Sequence, residues 1–205
     1  MIHPPIISIT SWKARISTVG LTIYSLLKNC PGYKILLTLS LAEFPNGMKD
    51  MPADITRLAN ANAIEIAWTS DNPREYKKLK AFELYPEAPC VFVDDDIFYT
   101  KNFVKELFEL YKKSPTTVYS WQNTHTKFGC GMACTLFPPS VYSMILDAVS
   151  KNHTLHDDAL FPKVFEQHHI QVVGLYDKFP GIWHDETCPL NGTANIPAWV
   201  GMQTY

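Results

Sequence analysis

Cys90-Val91-Phe92-Val93-Asp94-Asp95-Asp96-Ile97-Phe98-Tyr99 is an apolar run that ends on three consecutive carboxylates and then turns apolar again. Four residues of this kind, bounded by turn-forming residues, read as a buried strand. Solvated charge runs are rarely bracketed by burial on both sides, so the acids are delivered to a binding edge, not simply exposed. Side chains alternate along a strand at about 3.3 Å per residue, which would place Asp94 and Asp96 on one face about 6.6 Å apart with Asp95 turned away. At an effective dielectric of about 20, two such charges repel by roughly 2–3 kcal/mol, a cost that a divalent cation reverses. Carboxylate oxygens suit Mg2+ or Mn2+, whose remaining positions are filled by phosphate oxygens and water. The plainer alternative is a solvated turn, or a cap for the helix that begins near Asn102.

Upstream, strand and helix patterns alternate. Ile6 to Thr10 reads as a strand. The apolar positions Val19, Ile23, Leu26 and Leu27 after Ser17 lie on one helix face. Pro31-Gly32 breaks the pattern before a second strand over Tyr33 to Leu39, and a weaker helix around Pro52 to Ala59 leads to a third strand over Ala63 to Trp68. A Lys-rich helix over Glu75 to Leu84 precedes the strand at Cys90. Such alternation predicts an α/β fold: a mainly parallel, Rossmann-like sheet flanked by helices, with ligands at the carboxyl ends of its strands.

Downstream the texture changes. Asn102 to Lys113 has an N-cap candidate and an apolar stripe, so it reads as a surface helix. Val118 to Trp121 is strand-like, Phe128 to Leu136 carries Gly and Cys, and Val141 to Val149 is amphipathic. A last helix over Asp158 to His168 is followed by a strand over Gln171 to Tyr176, and from Asp177 onward the composition predicts loop. At 205 residues the chain reads as one domain, with residues 1–100 as the nucleotide-binding half and 101–205 as the acceptor-side half.

Several function classes are disfavoured by composition. The formal charge is −2 and no block of Lys or Arg interleaved with aromatics occurs, which argues against nucleic acid. No window approaches the ~18 apolar residues of a membrane helix. The N-terminal stretch lacks the pattern of a signal peptide, and the five scattered cysteines read as reduced thiols; the expected location is the cytoplasm, with peripheral attachment to the membrane as the variant. Cys130 and Cys134 read as small pocket or core residues. Oligomeric state is not encoded in any feature of the sequence.

Several separated motifs together resemble the GT-A fold glycosyltransferases, particularly the family-two-like enzymes of bacterial surface polysaccharide synthesis. Ile7 to Ile16 resembles their first strand and Arg-containing donor loop. Tyr76-Lys77-Lys78-Leu79 resembles the Lys-bearing helix before the metal strand, and Val93 to Tyr99 resembles their DxD signature. Gly129-Cys130-Gly131 through Pro139 looks like the glycine-rich segment lining the sugar pocket, and His156-Asp157-Asp158 like the acidic pair opening the last catalytic helix.

The resemblance implies a small mixed second sheet and a metal-dependent transfer of a sugar, with inversion, from a nucleotide-sugar donor to a hydroxyl of a glycan or glycoconjugate acceptor. It further implies that Asp96 ligates Mn2+ or Mg2+ and that Asp94 reaches the ribose or a metal-bound water. Thr10, Arg15, Lys77, Lys78, Asp94 and Asp95 would form the donor side, and Asp158 or Asp157 would be the general base, Asp158 being favoured. UDP as the base rests on the resemblance alone. His184 in Gly181-Ile182-Trp183-His184 would be an extra metal ligand of the kind some of these enzymes supply late in the chain.

His156 would contact acceptor or donor sugar unless it is simply exposed, and His168-His169 reads as a helix C-terminus. Trp121, Trp183 and Trp199 are candidates for sugar stacking or for the core. Pro162 requires the last helix to start close to Asp157 or Asp158 if the proline is to fall in the first turn, which makes one acid a candidate N-cap. Two competing readings remain: a nucleotidyltransferase, which generally needs a Gly-rich loop after the first strand where only Gly20 is nearby, and a non-catalytic nucleotide-sugar-binding domain.

Overall fold

The computed structural model describes residues 2–121, 133–152, 154–175 and 180–183. Its first half follows the predicted alternation: β1 (Ile6–Thr10), α1 (Val19–Asn29), β2 (Lys34–Ser40), α2 (Ala53–Asn60) and β3 (Glu65–Thr69). A 3-10 turn over Arg74–Leu79 runs into the short α3 (Lys80–Leu84), which leads to β4 (Cys90–Val93) and β5 (Ile97–Tyr99). Then come α4 (Phe103–Lys113), β6 (Val118–Ser120), β7 (Thr135–Phe137), α5 (Tyr142–Lys151), α6 (Asp157–Gln167), β8 (Val172–Gly174) and β9 (Gly181–Trp183).

Seven strands form the central sheet in the order β3-β2-β1-β4-β7-β6-β8. The half built from β3, β2, β1 and β4 is parallel, β7 runs antiparallel to both β4 and β6, and β8 is parallel to β6. The expected small second sheet exists, but it is antiparallel and two-stranded, β5 with β9, not mixed.

Period-two burial explains why the sheet has helices on both faces. In β2, Ile35, Leu37 and Leu39 enter one core, with Ile7 and Ile9 of β1 and Val91 and Val93 of β4, while Leu36 enters the other with Ile6, Cys90 and Phe92. The first core is closed by α1, α2 and α4 through Ile23, Leu26, Ile55, Val104 and Leu107. The second is closed by α3, α5 and α6 through an aromatic cluster. Phe82 stacks on Tyr142 at 3.8 Å between centroids, and Phe137 meets Phe161 edge-on at 5.8 Å. These rings hold β4, whose carboxyl end carries the acids, against the helix that carries Asp157 and Asp158.

Four details differ from the sequence reading. The Lys-rich segment is a 3-10 turn plus five α-helical residues instead of one helix. The segment after Asp177 contributes β9, where only loop was expected. Pro162 sits in the second turn of α6, not the first: the helix starts at Asp157, and the proline is tolerated there with the Asp158 carbonyl deprived of its i+4 donor. Trp121 is buried in the first core with Lys101 Nζ 3.9 Å over its ring, so it packs instead of offering a sugar platform. The predicted Asn102 cap is present, its side chain accepting the Lys105 N–H at 3.1 Å.

Candidate active site

Two tight turns follow β1. Arg15 and Ile16 N–H both donate to the Trp12 carbonyl, and Thr18 and Val19 N–H to the Arg15 carbonyl, which folds the loop over the end of the sheet before α1 begins. Arg15 is thereby turned inward, 3 % exposed. One of its nitrogens, Nη1, donates to Asp95 Oδ1 at 2.6 Å and to Asp96 Oδ2 at 2.7 Å. Ser11 Oγ donates to Asp95 Oδ2 at 2.6 Å, and Thr22 Oγ1 to the Asp95 carbonyl at 2.9 Å.

These contacts correct the expected geometry of the acids. β4 ends at Val93, so strand alternation does not extend through Asp94 to Asp96, which form a turn into β5. Asp95 is not turned away; it is the most firmly held of the three. Asp94 is directed to Lys78, whose Nζ donates to Asp94 Oδ1 at 2.6 Å, and the Asp94 N–H donates to the Tyr99 hydroxyl at 3.0 Å. Arg15 therefore serves as an internal counter-ion to the acids, at the side of the site where it was expected to line the nucleotide and phosphates.

The cluster remains short of positive charge. Burial pushes the Asp96 carboxyl up to about 7, and the neighbouring Asp94 charge adds to this against the pull of Arg15. Asp95 is also raised by burial, against Arg15 and Ser11. Asp96 Oδ1 is buried with no hydrogen-bond partner. An orphaned, buried carboxylate oxygen is costly unless something completes it. Its hard oxygen donor, set among acids at the carboxyl edge of a parallel sheet, fits a divalent cation of the Mg2+ or Mn2+ kind.

The predicted acidic pair belongs to the same site. Burial lowers the basicity of the Lys78 ammonium, but Asp94 and then Asp157 more than offset it and hold it charged. Lys78 thus stands between the β4 acids and α6. Asp157, 7 % exposed, is raised by burial and then by Asp158, while Lys78 lowers it. Its Oδ1 accepts the Asp158 N–H at 3.0 Å, and neither acid is the N-cap: His156 occupies that position without a side-chain cap bond, and Asp157 is the first helical residue. Asp158 is only partly buried.

The two adjacent lysines part company. Lys77 Nζ donates to Glu43 Oε2 at 2.9 Å and to Asn72 Oδ1 at 3.3 Å, bracing the loops after β2 and β3, while Lys78 alone meets the acids. Thr10 Oγ1 donates to the Thr38 carbonyl at 2.7 Å at the end of β1. His156 is not simply exposed: its Nδ1 lies 2.8 Å from Glu75 Oε1. Ser11, Thr22 and Glu75 carry no local signal in the sequence, since each is an isolated polar residue more than 70 positions from its partner; Tyr99, only five positions from Asp94, reads there as a buried aromatic of the strand. His184, Trp199, the Gly129–Gly131 segment and Cys130 lie outside the described residues, as does the Trp183 side chain, whereas Cys134 is a buried core residue as expected.

No family model matches the chain, and no curated protein matches it. Solved structures do resemble it. A cytidylyltransferase from Leptospira borgpetersenii superposes with a TM-score of 0.60 at 13 % identity, over 86 % of this chain and 77 % of that one. The 4-diphosphocytidyl-2C-methyl-D-erythritol synthase from Anaerococcus prevotii gives 0.58 at 14 %, over 98 % and 97 %. Residues 1–349 of S. aureus TarS give 0.60 at 9 %, over 89 % of this chain and 60 % of that one. At such identities the likeness concerns architecture alone: the chain shares with them a Rossmann-like α/β fold, a mostly parallel sheet flanked by helices.

Proposed function

We propose that the chain is a metal-dependent glycosyltransferase that moves a sugar from a nucleotide-sugar donor, UDP-linked in our reading, to a hydroxyl of a glycan acceptor with inversion. The observation that carries this reading is the Asp94–Asp96 turn at the carboxyl end of β4, with one buried Asp96 oxygen left without a partner. A cation bound there would neutralise the departing diphosphate. Asp96 would hold it through Oδ1, with Arg15 fixing the carboxylate's orientation from the other oxygen. Asp94 would meet the ribose side of the donor. Lys78, held charged between Asp94 and Asp157, would face the phosphates, and Thr10 and Lys77 would shape the nucleotide edge at the ends of β1, β2 and β3. Asp158, the less buried member of the acidic pair, would take the acceptor proton.

Two expected outcomes test these roles separately. Lys78→Met is expected to weaken nucleoside diphosphate binding in the presence of Mn2+ by about 10- to 100-fold, the range of a charge-assisted hydrogen bond. Titration calorimetry reads it, and an unchanged Kd would reduce Lys78 to a partner of Asp94. Asp158→Asn is expected to keep donor affinity while transfer slows by about 100-fold or more. Equal activity in the variant would remove Asp158 as the base, and retention of anomeric configuration in the product would remove the single-displacement scheme with it.

A second reading, nucleotidyl transfer, is favoured by the names of two of the similar structures, a cytidylyltransferase and a diphosphocytidyl synthase. Against it, the loop from Ser11 to Thr18 contains no glycine to wrap a triphosphate. Gly20 lies within α1, where a Cβ would meet the Asp54 side chain of α2, so it is a helix position and not part of a phosphate-wrapping loop. Product analysis separates the readings: UDP-sugars with Mn2+ and a glycan acceptor should release nucleoside diphosphate. Release of pyrophosphate from a nucleoside triphosphate and a sugar phosphate would establish the second reading and sink the first.

A further inference from the structure

Beside the β4 acids lies a second group of ligand-type side chains, two of which, Glu75 and His156, have no place in the transfer scheme. Glu75, His156 and Asp157 each offer one donor atom, and these atoms lie within 4.8 Å of one another. Two ligands of a tetrahedral zinc are about 3.3 Å apart, so closing on an ion asks for side-chain movements of about 1.5 Å or less.

The pairing of His156 with Glu75 accounts for two of the three residues and leaves the third unexplained. Asp157 is more than nine-tenths buried, and its one hydrogen bond is the Asp158 N–H on Oδ1; no donor reaches Oδ2 among the described residues. Its charged surroundings are Asp158, Glu75 and Asp94 on one sign and Lys78 on the other. Lys78 is already committed to Asp94 at 2.6 Å. A buried carboxylate in such company calls for another cation.

The surrounding structure holds the three residues in place. Tyr76 Oη donates to the Leu155 carbonyl at 2.6 Å, and its ring packs 6.1 Å from that of Phe161. The turn bearing Glu75 is thereby fixed to the segment bearing His156 and Asp157, which is the outer support that metal ligands require.

We propose that Glu75, His156 and Asp157 form a second divalent-cation site, separate from the Asp94–Asp96 turn and filled without nucleotide. One imidazole and two carboxylates select a borderline ion such as Zn2+ over Mg2+, and three protein ligands leave a position open to water or to a sugar hydroxyl. The inference goes beyond the transfer reaction and does not depend on it. With Asp157 ligating the ion, Asp158 remains the base at the acceptor.

Co2+ replaces Zn2+ as a coloured probe. Metal-stripped protein titrated with Co2+ in the absence of nucleotide should bind one ion with visible absorption, and Zn2+ should displace it. Glu75→Gln and His156→Gln should each weaken that binding at least tenfold, with melting curves confirming that both variants are folded. Asp96→Asn should leave it unchanged. Absence of Co2+ binding, or binding lost in Asp96→Asn but retained in the other two variants, overturns the proposal; the latter result would still leave the donor-metal reading standing.

Discussion

Asp96→Asn is expected to reduce metal-dependent sugar transfer by about 1,000-fold or more while making the metal-free protein more stable near neutral pH. The two effects have one cause. Asp96 contributes a buried oxygen with no partner and a charge that the folded protein resists, its carboxyl titrating at about 7 against an ordinary value of 3.8. Between these pH values the folded state holds the proton and the unfolded state does not. Stability therefore falls as pH rises from about 4 to about 7. Lifting the carboxyl from 3.8 to about 7 bounds the effect at about 4 kcal/mol. Asparagine has no ionisation, so the variant loses this slope and keeps an Asp95–Arg15 pair intact. Melting curves from pH 4 to 8 without metal, alongside turnover with Mn2+, check both halves. A variant that loses stability together with activity would mean that Asp96 serves the fold and not a ligand.

Arg15→Ala is expected to cost about 3–5 kcal/mol of stability, because it strands two buried carboxylates at once. Asp95 and Asp96 are 6 % and 8 % exposed, and a single guanidinium nitrogen serves both. For a chain of this size the loss corresponds to a fall in Tm of about 10 °C. The deficit should shrink at pH 5, where Asp96 is protonated, and again when Mn2+ supplies the missing charge. Adding Asp95→Asn to the Arg15→Ala background should recover part of the loss, since one buried charge then disappears. Denaturant unfolding of the two variants against the parent reads these differences. A cost below about 1 kcal/mol would show that the pair behaves as a solvated surface contact.

Much of the framework was legible from burial patterns because a parallel sheet covered on both faces has to be written in continuous apolar runs. Ile35-Leu36-Leu37 and Cys90-Val91-Phe92-Val93 are such runs, and both fall in strands. The β5–β9 pair was not legible: it joins two three-residue strands some 80 positions apart, too short for any period. Inside the site, the identities of the acids were readable but their partners were not. Strand alternation extended past Val93 misplaces Asp95, because the strand ends there. Lys77 and Lys78 read as a pair in the sequence, yet neighbours on a helical turn point about 100–120° apart, and their ammonium groups meet different partners. Arg15 looked like a free cation because nothing local reveals a partner 80 residues downstream.

In the proposed function the Asp94–Asp96 turn binds a nucleotide donor through a divalent ion. Thermal shift with nucleoside diphosphates and with UDP- and GDP-sugars, each with and without Mn2+, on the wild type and on Asp96→Asn tests it most directly. Stabilisation by one donor class, present only with the metal and absent in the variant, is the predicted result; no response to any nucleotide, or an equal response in Asp96→Asn, would contradict it.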